Sequence, residues 1–398
     1  MTTATPRPDP PSSSEAEATS PVASAALGNL LVQGDAAAVL AELEPELAGQ
    51  VRCIYIDPPY GTGLKADAGG VERPYDDDLT HDAWWAMMRP LLPRFHELLR
   101  ADGSLFVQLD EHQLDYMKVA LDGVFGRNAL LNRITVAARS PSSFSTVNRG
   151  VFKSSEYLLW YARDRRAFTG QALRVPRAPD RAYGLWLENP EDAYTQWRFV
   201  PLAGVCGPDR DAFQVKHAAR VCRLATISDR KAGKAAVALK AASRAEPARV
   251  HRLERPERPP IYALRGQQLL FYDRQVQVID GRRAASRPLT DIWTDIPWEG
   301  IAHEGGVTWR KGKKPERLIR RCLQLATVPG DLVLDCFLGS GTTAAVAHKM
   351  GRRWVGIEAG PQIALARQRL DAVVAGVDAT GVTRLERWKG GGAFVCRT

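Results

Sequence analysis

Two stretches of strand and helix alternation, one toward each end of the chain, constrain this sequence more than any other feature. In residues 27–162, 30–32 is a short strand candidate, and Gly34-Asp35 leads into an Ala/Leu-rich helix reaching Leu47. Residues 51–56 are rich in β-formers and stop at Pro58-Pro59, because two successive prolines end a regular element. Thr80 can cap a helix whose apolar stripe runs from Trp84 to Leu99, with kinks expected at Pro90 and Pro93. Residues 104–109 read as a strand, 111–125 as a helix and 157–161 as a strand. In residues 291–375 the rhythm resumes: a helix opening at Pro315, a strand at 332–336, a helix at 342–350 and a strand at 353–357. Such alternation makes a parallel sheet covered on both faces. The expected fold is α/β, a doubly wound, mostly parallel sheet built from both ends of the chain.

The segment between them, 163–290, breaks the rhythm. Residues 163–258 hold 20 Lys and Arg against 11 Asp and Glu, so this segment carries an excess equal to the +9 of the whole chain. Trp186, Trp197, Phe199 and Phe213 are interspersed, and 231–244 reads as its one clear helix. A basic insertion of this kind points to a polyanionic partner, although a solvated basic surface has the same composition. Residues 1–26, dominated by Pro, Ser, Thr and Ala, read as a disordered tail without a signal peptide, and 376–398 as a C-terminal extension. No run of about 18 apolar residues occurs, so no membrane span is expected. Cys206 and Cys222 lie near His217 and His251, but no C-x-x-C pair occurs. The six cysteines therefore read as thiols of a reducing cytoplasm, and no metal site is expected.

A glycine-rich loop, Phe337-Leu338-Gly339-Ser340-Gly341-Thr342-Thr343, joins the strand at 332–336 to its helix. Glycines there let a ligand approach the backbone and leave helix N-terminal N–H groups to bind it. Glu358 follows 19 residues after Gly339, at the end of the next strand, where an acid can take ribose hydroxyls. A nucleoside cofactor is the reading. The third glycine of a dinucleotide fingerprint is missing, yet the loop alone leaves a nicotinamide or flavin cofactor open.

Asp57-Pro58-Pro59-Tyr60 closes the strand at 51–56. Taken alone it is also the sequence of a strand-ending turn. Its chemical reading starts from the weak nucleophilicity of an exocyclic amino nitrogen, whose lone pair is delocalised into the base. Such a nitrogen needs acceptors that hold its N–H bonds and stabilise the growing charge. The Asp57 carboxylate and the Pro58 carbonyl can serve, and Tyr60 can stack on the base. Extruding a base costs a few kcal/mol. A stacked aromatic returns about 1–3 kcal/mol and a charged hydrogen bond about 1.5–3 kcal/mol, so the two roughly offset the flip.

With Lys314-Pro315-Glu316 and Asp335-Cys336 ahead of the glycine loop, the order of these motifs resembles the amino-methylating DNA methyltransferases of the permuted beta group. That group includes the modification subunits of type III restriction-modification systems. The similarity covers about 28–165 and 290–372. It implies a Rossmann-like methyltransferase fold and transfer from S-adenosylmethionine to adenine N6 of a flipped base, with cytosine N4 as the alternative. It implies that Asp57, Pro58, Pro59 and Tyr60 are catalytic. By the same resemblance Asp335, Phe337, Gly339, Ser340, Gly341 and Thr342 line the cofactor, Glu358 takes its ribose, Asp35 its adenine, and Lys314 and Pro315 its methionine end. The insertion 163–290 takes the place of a target recognition domain. Double-stranded DNA, a second copy of the chain and a restriction subunit are the implied partners. The length fits a solitary enzyme as readily as a modification subunit. A DNA-binding subunit active only with a partner, and a nicotinamide oxidoreductase, are the rival readings.

Overall fold

The computed structural model describes residues 28–60, 79–139, 151–308 and 312–397. The expected tail, 1–26, lies outside them. Nine strands form the main sheet: β1 (Leu30–Gln33), β2 (Val51–Ile56), β3 (Leu99–Leu109), β4 (Leu130–Ala137), β5 (Ser155–Ala162), β6 (Ile292–Trp293), β7 (Leu332–Asp335), β8 (Arg353–Glu358) and β9 (Val395–Arg397). Their spatial order is β6-β4-β5-β3-β2-β7-β8-β1-β9. Every neighbouring pair is parallel except the two that involve β5.

Period-two alternation sorts the side chains between two cores. Ile54, Ile56, Leu105 and Val107 point into a cluster with helices α1 (Ala36–Leu47), α2 (His81–Met88), α3 (Leu91–Leu98) and α4 (Leu114–Phe125). Cys53, Tyr55, Phe106 and Val333 point to the opposite face. There they meet α7 (Glu316–Ala326), α8 (Thr342–Lys349) and α9 (Ile363–Val374). The N-terminal half thus covers one face and the C-terminal half the other, as a doubly wound sheet requires.

Several expectations need correction. The long helix after Thr80 is two helices separated at Arg89-Pro90, because a proline N cannot donate to the preceding turn. Pro93 causes no kink: it sits in the first turn of α3, where its missing N–H has no partner to lose. The strand at 155–162 is antiparallel, and β4 beside it was not foreseen. The C-terminal extension carries an edge strand, β9, parallel to β1.

Between Arg174 and Pro288 the chain leaves this sheet. Its strands make a six-stranded antiparallel sheet and a small three-stranded one, with helices α5 (Arg210–Lys216) and α6 (Lys234–Ala245). Arg220 stacks on Trp186, with Cζ 4.1 Å from the ring centroid. Among the described residues, no helix is long and apolar enough to cross a membrane.

Behind the glycine loop lies a buried ionic cluster. Glu316, at 0% exposure, accepts from Lys349 Nζ at 2.8 and 2.9 Å, Arg369 Nη2 at 2.7 Å and Val382 N at 2.9 Å. Lys349 Nζ also lies 2.6 Å from Asp378 Oδ2. Gly381 packs against the same carboxylate at φ 57°, where a Cβ would stand 2.1 Å from Glu316 Oε2, so no side chain fits there. Arg369 Nη1 reaches Thr342 Oγ1 at 2.8 Å, which ties the cluster to the loop.

Candidate active site

Strand order reverses between β2 and β7, and their register, Cys53 opposite Val333 and Ile54 opposite Leu334, brings both candidate loops to one edge. Asp57 and Phe337 each lie three residues beyond a paired position. Ligands in open α/β sheets bind outside the carboxyl ends of strands at such a switch point. A cavity opens there. Asp57, Lys314, Asp335, Phe337, Gly339, Ser340 and Thr342 line it, and so do Tyr55, Lys313, Ile319, Leu338 and Thr343.

The other expected residues do not line this cavity. Gly341 starts α8 at φ 80°, and a Cβ would stand 3.1 Å from Ala366 Cα, so its place is the contact with α9. Pro315 caps α7, one position before its first turn. Asp35 caps α1 through Ala37 N and Ala38 N, both at 3.0 Å, beside the end of β8. Buried Glu358 accepts from Gly339 N at 2.7 Å and from Gly360 N at 2.9 Å, so it shapes the glycine loop directly.

The Asp-Pro-Pro-Tyr loop is held from several sides. Trp84 Nε1 donates to the Pro59 carbonyl. Tyr60 Oη lies 2.9 Å from Asp57 Oδ1 and 2.9 Å from Glu156 Oε2. Lys314 Nζ is 2.9 Å from Asp57 Oδ2, 3.4 Å from Glu156 Oε2 and 4.9 Å from the Tyr60 ring centroid. Gln108 Nε2 donates to Glu156, and Tyr55 Oη to Gln108 Oε1. Lys314 therefore binds the acidic loop as well as lining the cavity. Glu156, Gln108 and Tyr55 were not foreseen. The one signal in the sequence was an acid at the start of the otherwise apolar strand 156–162.

Electrostatics follow from this burial. Desolvation pushes the Asp57 carboxyl up to about 6, the Lys314 ammonium pulling it back and the Glu156 charge adding to the rise. Burial likewise lifts Asp335 to about 7, against the hydrogen bonds from Thr343 and Phe337 N. Burial lowers Lys313 to about 8. For Lys314, burial works against the charged form, but Asp57 and Glu156 outweigh it and the pKa ends above its ordinary value. Protonation removes the Asp57 charge that would stabilise a reacting amine and turns one of its oxygens into a donor. Any reaction that uses it should lose about tenfold in rate per pH unit below about 6. A single-turnover profile that stays flat from about pH 5 to 8 would contradict this.

Among the described residues, one group offers three close metal-ligand atoms: Asp110, Glu111 and His112, outside this cavity. Cys206 and Cys222 are buried free thiols.

A cavity at the reversal point of a doubly wound sheet, walled by a glycine loop and an acidic Pro-Pro loop, is where an α/β protein of this class can take a ligand. The family model described as DNA methylase matches residues 51–368, and the chain belongs to that family. It is 28% identical over 409 residues to a Haemophilus influenzae protein named "Probable type III restriction-modification enzyme HindVI Mod subunit", covering 92% of this chain and 53% of that one. It is also 28% identical to the type II methyltransferase M.EcaI of Enterobacter cloacae, covering 84% of this chain and 64% of that protein. The chain thus spans about half to two thirds of the length of these relatives. The solved M1.HpyAVI–SAM complex matches 86% of this chain and 99% of its own, at 13% identity and a TM-score of 0.43.

Proposed function

We propose that this protein is a DNA methyltransferase that moves a methyl group from S-adenosylmethionine to adenine N6 of a base displaced from double-stranded DNA. The observation that carries the proposal is that Asp57 and the Phe337–Gly339 stretch line one cavity although they are remote in sequence. The lining suits this donor chemically. Asp57 and Asp335 can face its cationic centres, Lys314 its carboxylate, and Phe337, Leu338 and Ile319 its apolar parts. When bound, S-adenosylmethionine supplies a methyl group activated by a positively charged sulfur.

The chain's own residues supply the rest. Ionised Asp57 accepts an N–H of the target amine and stabilises the charge that builds on nitrogen. Lys314 holds Asp57 in place from the other side. Tyr60, whose ring carries Lys314 on one side, would supply the stacking. The insertion 163–290 serves as the target recognition domain. Its exposed Arg198, Arg230, Lys231, Lys234, Arg249 and Arg258 meet phosphates, so DNA binding should weaken steeply with salt. The modification-subunit names of relatives motivate a restriction subunit as a further partner.

The test is nucleoside mass spectrometry of duplex DNA treated with the protein and labelled donor. Label in N6-methyladenine supports the reading. Label in N4-methylcytosine alone overturns the choice of base, and no label in DNA overturns the activity.

A further inference from the structure

We infer that Glu156 is a second acid of the reaction centre, a positioning residue that shares Lys314 and Tyr60 with Asp57 and thereby governs when Asp57 is ionised. The inference rests on the methyl-transfer reading given above.

Glu156 is 7% exposed and is the second residue of β5, which is buried over most of its length. Packing gives no reason for an acid there, since burying a carboxylate is costly unless it is paired. Its Oε2 is surrounded by three donors: Gln108 Nε2, Tyr60 Oη and Lys314 Nζ. Gln108 is itself oriented by the Tyr55 hydroxyl, so its amide hydrogens point at Glu156.

The phenol makes the two acids interdependent. Tyr60 Oη is equidistant, at 2.9 Å, from Asp57 Oδ1 and Glu156 Oε2, yet a neutral phenol has one proton to donate. Whichever carboxylate receives it, the other meets an oxygen lone pair and goes without that donor. Lys314 contacts both acids, closer to Asp57. Two carboxylates and one ammonium leave one negative charge in excess, so the Glu156 charge acts directly on Asp57. The other titratable groups near it are Tyr55 from β2 and Asp335 at the end of β7, with Glu358 beyond Asp335. None of these is a cation, so Lys314 is the positive charge the two acids divide.

Glu156→Gln keeps the shape and an acceptor oxygen but removes the competing charge. Lys314 then serves Asp57 alone, and the acid limb of methyl transfer should move down by about one pH unit. Tyr60→Phe, which removes the bridging hydroxyl and keeps both acids, should move the limb up. It serves as the second variant if Glu156→Gln does not fold. Single-turnover profiles of the full chain with labelled donor and duplex DNA read this. In parallel, the Asp57 carboxyl resonance of ¹³C-aspartate-labelled protein, assigned by its loss in Asp57→Asn, is titrated without donor or DNA. Shifts in these directions support the inference. A limb and a carboxyl titration unmoved in folded variants overturn it, even if the rate falls. If the wild type transfers no methyl, the functional reading fails, and the carboxyl titration still decides the link between Glu156 and Asp57.

Discussion

Asp57→Asn is expected to lower the methyl-transfer rate by about 100-fold or more while leaving the fold as stable as before, or more so. The rate argument is local. Asparagine keeps the shape but carries no charge, and loss of one preorganised electrostatic contact at a reacting centre typically costs about 10²–10³ in rate. Donor binding should change little, because Phe337, Gly339, Ser340 and Thr342 still line the cavity. The stability argument runs the other way. The folded carboxyl titrates near 6, above its ordinary value. Between about 4 and 6 the native state therefore binds more protons than the unfolded chain, and stability falls as pH rises through that window. Removing the ionisable group removes that loss. Rapid-quench transfer rates beside denaturant melts at pH 7 check both halves. A variant that melts early as well as reacting slowly would mean that Asp57 acts through the fold instead.

Glu316→Gln should do the reverse, with a large loss of stability and an indirect loss of activity. The Glu316 carboxylate is wholly buried and neutralises Lys349 and Arg369. Without its charge, Lys349 keeps Asp378, while Arg369 loses its ion pair. Breaking a buried pair by removing one partner costs about 3–5 kcal/mol. The denaturation midpoint should drop accordingly. Donor affinity should drop as well, because Arg369 also reaches Thr342 at the cavity wall. An unchanged midpoint would show that the cluster is dispensable.

These two residues also mark how much the sequence revealed. Asp57 was legible because proline interrupts a β-rich run with a recognisable motif, and the glycine loop because a strand leads straight into it. Their meeting could be expected from the alternation of elements, since parallel strands place their carboxyl ends on one edge. Glu156 was not legible, for a geometric reason. The rule that functional residues follow strands assumes a parallel strand, whereas β5 runs the other way and brings its first residues to the ligand edge. Lys314 was read as a donor-binding residue, and only the packing of α7 against β2 shows its pairing with Asp57. Glu316 entered the sequence reading only as the end of Lys314-Pro315-Glu316. Its partners come from α8, α9 and the segment after α9, contacts that no local pattern encodes.

The pairing of β2 with β7 joins residues about 280 positions apart. A ribosome adding about 5–20 residues per second needs some tens of seconds to make that intervening stretch. Throughout that interval the inner edge of β2 has no partner, and it is an apolar edge of the kind that recruits foreign strands. The insertion has no such wait, because its strands pair mostly with near neighbours. It can collapse while the catalytic edge is still open. Slow late closure of a long-range sheet makes the nascent chain dependent on protection during synthesis, and its yield should respond to translation speed and chaperone supply more than to the stability of the finished protein.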